Sequence, residues 1–141
     1  MNTNTSGGLE NVCVGWKSLY ALTSGDSNSA IGKRSGDSIT TGSYNVMLGK
    51  DAGQNLVDGS GNVIIGTADT AATDSARTLK IVSYDGSSTT NHIISDSSGN
   101  MTLAADLTIG DDFNMTTDSS VINFGADSDT TLTHTDGTGL T

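Results

Sequence analysis

Six residues of this chain have the types and spacing to recognise a ligand: Trp16, Lys17, Tyr20, Lys33, Arg34 and Tyr44. Aromatic rings stack on the apolar faces of sugars, and ammonium and guanidinium groups pair with anions, so aromatics beside a basic stripe suit a surface glycan, acidic ones included. Four of the six Lys and Arg residues (Lys17, Lys33, Arg34, Lys50) fall within two residues after a recurring glycine. The competing account is that their stems cover apolar surface while their heads keep the chain dissolved. Catalysis has thinner support. Asp111, Asp112, Asp127 and Asp129 are carboxylates of the kind a glycoside hydrolase sets across a groove, but they read more simply as solvated turn acids. His134 has no His-x-His companion, and the Asp-Gly pairs at Asp58, Asp85 and Asp136 are turn formers rather than a calcium-binding repeat. Nucleophile elbow, phosphate loop, HExxH and paired-cysteine patterns are all missing from the sequence. These residues indicate no catalytic site, no cofactor and no metal centre.

The elements that must position the recognition residues are written in a 17-residue period. Asn11-Val12-Cys13-Val14-Gly15, Asn28-Ser29-Ala30-Ile31-Gly32, Asn45-Val46-Met47-Leu48-Gly49 and Asn62-Val63-Ile64-Ile65-Gly66 follow one another without a slip. A second column, Gly8, Gly25, Gly42 and Gly59, stands three residues ahead of each asparagine, and Leu22, Ile39 and Leu56 stand three ahead of the last three glycines. Such a period is too short for a helix pair, and apolar triplets punctuated by Gly, Ser and Asn make each unit one coil of a β-solenoid. Two short strands and two bends are expected per coil, with Asn and Gly at the bends and identical residues stacked as ladders. At about 4.8 Å per coil, four coils span about 20 Å.

Alternate residues of a strand face opposite ways. Val12/Ser29/Val46/Val63 and Val14/Ile31/Leu48/Ile65 are expected to face the lumen, which turns Cys13, Ala30, Met47 and Ile64 outward. An apolar outer column is explained by a seam between copies around a threefold axis, so these four residues are the expected trimer seam; a monomeric solenoid with a mildly apolar flank is the alternative.

The repeated Asn, apolar, any, apolar, Gly string, followed by Lys and small residues (Gly32-Lys33-Arg34-Ser35, Gly49-Lys50-Asp51-Ala52-Gly53), resembles the coils of trimeric β-roll heads. Such coils occur in bacterial trimeric autotransporter adhesins and, in this longer form, in bacteriophage tail fibres. The stretch from Ile122 to His134 looks like segments common in phage fibre proteins. The resemblance implies a left-handed β-roll over residues 8 to 66 and an intertwined homotrimer. It further implies a virion tail-fibre location, with a bacterial cell surface as the alternative. On this reading the chain is a rigid rod positioning host-receptor binding; the alternative is a host-glycan-binding adhesin module in its own right.

Composition agrees with a rod. Only 33% of the 141 residues are hydrophobic, thin for a compact core, while 18 glycines and no proline suit ladders that proline would interrupt. The net charge of −10 is uneven: residues 1 to 66 carry four bases against five acids, residues 67 to 141 two against eleven. That field discourages nucleic acid and anionic membrane surfaces. No apolar run reaches the length of a membrane span, and the first residues carry no export signal. The single cysteine, Cys13, reads as a small buried hydrophobe.

The register fails after Gly66, since Leu79 occupies the next asparagine position. Residues 1 to 66 are therefore expected as the solenoid and 67 to 78 as a connector. Residues 79 to 141 are expected as a triple-stranded β-shaft or β-prism-like segment, beginning with strands at Leu79 to Tyr84 and His92 to Ser95 around a polar turn. Apolar-polar-apolar triplets at Met101/Leu103, Leu107/Ile109 and Phe113/Met115 continue it. A disordered acidic tail is the alternative. Both ends lack caps, which invites pairing with other fibre or virion proteins, and the chain reads as a module stacked between others.

Overall fold

A computed structural model describes residues 8–104, 107 and 108. Asp111, Asp112, Asp127, Asp129, His134, the Phe113/Met115 triplet and the Ile122 to His134 stretch lie outside the described residues. The described chain is all β and forms one seven-stranded sheet in chain order. Four three-residue strands come first: β1 (Val12–Val14), β2 (Ser29–Ile31), β3 (Val46–Leu48) and β4 (Val63–Ile65). Each lies parallel on the next with residues 17 apart in register, Cys13 on Ala30 and Ala30 on Met47. The coil stack of a β-solenoid is thus the described architecture. Each coil holds one regular strand rather than the two expected. Its return side is a chain of turns that still bonds upward, through Thr23 N–H to Thr40 O at 2.9 Å and Thr40 N–H to Val57 O at 2.8 Å.

Turns dominate because non-glycine residues adopt left-handed conformations at repeating places. One such column is Glu10, Ser27 and Tyr44 (φ 59°, 56° and 59°), just before each asparagine, and another is Lys17, Arg34 and Asp51 (φ 56°, 57° and 56°) after each strand. A lone left-handed residue costs a chain about 1–2 kcal/mol. At Arg34 and Asp51 it persists because backbone bonds to the preceding coil over-determine it: Arg34 N–H donates to Trp16 O and Asp51 N–H to Lys33 O, both at 2.8 Å.

The strand faces are the reverse of the expectation. Ala30, Met47 and Ile64 are fully buried and Cys13 packs against them, whereas Val12, Val14, Ile31, Val46 and Leu48 lie exposed. The expected seam residues Cys13, Ala30, Met47 and Ile64 therefore line the lumen, facing the second buried column of Leu22, Ile39 and Leu56. The asparagines set this phase. Asn28, Asn45 and Asn62 are fully buried, and period-two alternation puts the residue two further on, the Ala30/Met47/Ile64 column, on the same inner side. The Oδ1 atoms of Asn11, Asn28 and Asn45 each accept from both the N–H and the Nδ2 of the asparagine one coil on, at 2.9 to 3.1 Å. Each Nδ2 also donates across the bend to a carbonyl, Asn28 to Gly42 O and Asn45 to Gly59 O at 2.9 Å. Burial of the four large lumen side chains Ile39, Met47, Leu56 and Ile64 contributes about 1.5–3 kcal/mol each.

The stretch 67–78, expected as a connector, completes the fourth coil. Leu19 N–H donates to Ser35 O and Gly36 N–H to Ala52 O, but Gly53 N–H donates to Ala68 O, one residue sooner than the period gives. A one-residue deletion in the corner between Gly66 and Ala68 is therefore what breaks the written register. With it, Thr78 rather than Leu79 enters the asparagine column, where its N–H and Oγ1 both donate to Asn62 Oδ1 at 3.1 and 2.7 Å. A threonine has no amide to pass the ladder on, and the sheet changes direction just beyond.

Strand β5 (Leu79–Tyr84) still pairs parallel with β4, Val63 opposite Leu79. It then pairs antiparallel with β6 (Thr89–Ser95), which pairs antiparallel with β7 (Met101–Leu103). Lys80 falls opposite Ile64, in the lumen column, and ends the apolar interior by carrying its Nζ out to Asp69 O at 2.6 Å.

The two hairpin turns are held by carboxylates. Asp85 Oδ1 accepts from the N–H groups of Ser88 and Ser87 at 2.8 Å, and these bonds hold its pKa below the usual value near 3.8. Asp96 is lowered likewise by the Asn100 side chain and then by the N–H groups of Asn100, Ser98 and Gly99. A carboxyl with a depressed folded pKa stabilises its turn above the unfolded pKa and loses that contribution as pH falls through the folded one. NMR titration is expected to show the Ser87 and Ser98 amide resonances moving with midpoints below 3.8; midpoints above that value would contradict the geometry.

Candidate functional site

The corner that follows each strand places all but Tyr44 of the residues expected to recognise a ligand. Gly15, Gly32 and Gly49 (φ 130°, 140° and 141°) end the strands by a conformation open to glycine. Carbonyl groups one coil on pack against the space a side chain would need, so these three positions are closed to any Cβ. The next residues, Trp16, Lys33 and Lys50, stack one coil apart on the outside, followed by the left-handed column Lys17, Arg34 and Asp51.

Four of the six expected residues come together. Lys17 Nζ lies 4.9 Å from the centroids of both the Trp16 and the Tyr20 rings, and Lys33 Nζ lies 5.3 Å from that of Trp16. Trp16 is 60% and Tyr20 55% exposed, so both rings keep surface for a ligand. Cations at this distance over an aromatic face gain about 0.5–1 kcal/mol at exposed sites, and the ring is held in place by them.

Arg34 and Tyr44 are not part of that group. Arg34 Nε donates to Asp37 Oδ2 at 2.8 Å, and this bond, foremost, raises the guanidinium pKa. Gln54, with its amide oxygen turned to the guanidinium, accepts from Arg34 Nη1 at 2.8 Å. Tyr44, 68% exposed, precedes β3, whereas Trp16, Lys33 and Lys50 follow their strands, so the aliphatic strand face separates it from the cluster. Lys50 Nζ is paired with Asp51 Oδ2 at 3.1 Å. Asp37 and Gln54 thus occupy Arg34 of coil two, and Asp51 neutralises Lys50 of coil three. The period carries the signal for this, because Asp37 stands three residues after Arg34 as Tyr20 stands three after Lys17, giving an ion pair in one coil and a cation-aromatic contact in the other.

Asp37 Oδ1 and Asp51 Oδ1 are buried without a hydrogen-bond partner beside Arg34. Two shallow grooves flank Lys80, one lined by Thr70, Ser75, Thr78 and Asn100, the other by Asp51, Gln54, Asp69 and Asn91. Among the described residues no three His, Cys, Asp or Glu side chains converge on one point. Compared with protein-family models, curated proteins and solved structures, the chain matches none.

Proposed function

We propose that the chain is a non-enzymatic structural segment of a fibre, a homotrimeric rod of the kind found in bacteriophage tail fibres, which holds a receptor-binding tip away from the particle. One observation carries the reading. Along the parallel ladder of β1 to β5 the outward positions are Val12, Val14, Ser29, Ile31, Val46, Leu48, Val63, Ile65, Leu79 and Ile81, aliphatic in all but one case in a chain only 33% hydrophobic. A solvated strand face needs no such stripe. The occupants proposed are two further copies of this chain. The stripe carries no charge, runs without a break along the stack because every step has the same register, and would meet an identical stripe at the same rise.

Stiffness follows from the interior. Each coil is tied to the next by strand, return-side and asparagine bonds, so bending the stack stretches three hydrogen-bond columns at once. Packing three stacks on their outer faces would add breadth, and with it resistance to bending and to proteases.

Native mass spectrometry of the chain is expected to give three times 14.3 kDa. Leu48→Asp, outward and 45% exposed in the single chain, is expected to yield a folded monomer, while Met47→Asp, fully buried, unfolds it. A folded wild-type monomer, or a trimer untouched by Leu48→Asp, would overturn the seam and the fibre reading with it.

A further inference from the structure

The geometry points to a binding site for carboxylated polysaccharide at the Trp16 corner, built from Trp16, Lys17, Tyr20 and Lys33. The charges of the chain set this corner apart. The net charge is −10, yet two ammonium groups stand here, and no Asp or Glu lies within ion-pair distance of Lys17 or Lys33 among the described residues. The equivalent bases one coil on, Arg34 for Lys17 and Lys50 for Lys33, are each taken by a carboxylate, at 2.8 and 3.1 Å. In the same columns Tyr20 stands where Asp37 pairs with Arg34, and Arg34 stands where Asp51 pairs with Lys50, so Lys17 of the first coil and Lys33 of the second face rings instead of acids.

An occupant must answer both features. A uronic-acid unit presents an apolar C–H face to the exposed Trp16 or Tyr20 ring and a carboxylate to an ammonium 4.9 to 5.3 Å from those rings. A neutral sugar would use the rings and leave the cations idle. Nucleic acid would use both, but the acidic field of the remaining chain opposes a polyanion of its charge density. The corner lies beyond the glycine that ends each strand and off the aliphatic stripe, so this site does not depend on the rod reading.

Trp16 is the only tryptophan, so its fluorescence reports the site directly. The full chain is titrated with oligogalacturonate, with a neutral maltooligosaccharide of equal length and with oligothymidylate. Oligogalacturonate is expected to produce a saturable change in emission. Its affinity should fall as salt rises from about 10 mM to about 150 mM, where screening shortens from about 30 to about 8 Å. Lys17→Asn, which keeps a residue tolerant of the left-handed backbone, combined with Lys33→Gln should weaken binding at least about tenfold. Lys50→Gln, at the carboxylate-paired lysine, should leave it unchanged. No saturable response, an equal response to the neutral sugar, an undiminished response in the double variant, or tighter binding of oligothymidylate would each overturn the assignment. Circular dichroism of the variants checks that the coils are intact.

Discussion

Asn45→Ala is expected to cost about 3–5 kcal/mol, a large part of the stability of a domain this size. The Asn45 side chain is fully buried and makes four hydrogen bonds: Oδ1 accepts from Asn62 N–H and Nδ2, and Nδ2 donates to Asn28 Oδ1 and Gly59 O. Alanine leaves the two Asn62 donors without an acceptor in a dry interior, at about 1–3 kcal/mol each, and opens a small cavity besides. Thermal or urea unfolding measures the loss; a change below about 1 kcal/mol would mean that the ladder is not what holds the coils.

Asn45→Asp separates the polarity of the ladder from its shape. One carboxyl oxygen can still accept from Asn62, but the other replaces a donor and faces Asn28 Oδ1 and Gly59 O, two acceptors. Only the protonated acid can donate there, so its folded pKa is raised above the ordinary value of about 3.9. A raised acid pKa means the native state binds more protons than the unfolded one, and stability falls as pH rises. The variant should therefore be most stable near pH 4 and lose about 1.4 kcal/mol per pH unit until the folded pKa is passed. This trend opposes that of the Asp85 and Asp96 turns, which weaken towards acid. Stability of the Asp variant that rises or stays level from pH 4 to 7 would refute the ladder's direction.

The second large effect is expected at Gly32. A methyl group added there would overlap the carbonyl of Gly49 and come within 3.1 Å of Lys50 N, and all of these are backbone atoms that no rotamer change can move. The backbone at φ 140° adds its own strain for any L-residue. Gly32→Ala is expected to cost about 4 kcal/mol or more and to separate coil two from coil three. Gly86→Ala supplies the comparison. Its φ is 100°, but no atom lies within 4 Å of the added methyl, so it should cost only the conformational penalty of about 1–2 kcal/mol. Equal costs at the two sites would mean that coil-to-coil contact is not what demands glycine.

Much of this molecule was legible in its residue spacing. The four Asn-to-Gly strings at 17-residue intervals specify strands β1 to β4 and their register, because a stacked ladder requires identical residues at identical heights. The polar turn at Asp85 to Ser88 likewise placed the β5 and β6 hairpin. The corner after each glycine could be read as the place where bases and aromatics gather. What spacing does not carry is which way a strand faces. Two outward aliphatics against one inward Cys, Ala, Met or Ile suggests the opposite phase, and only the closed coil decides. Its narrow lumen must hold the asparagines where both amide atoms find partners, and that requirement turns Met47 in and Leu48 out. Tertiary structure also decided that Thr78, not Leu79, ends the ladder, since a one-residue deletion at the Gly66 to Ala68 corner leaves the stack intact while erasing the written period. In the same way, Arg34 and Lys17 occupy equivalent positions in the repeat, but the carboxylate of Asp37 claims the first while the rings of Trp16 and Tyr20 leave the second without an acid, because columns one coil apart place different neighbours beside identical charges.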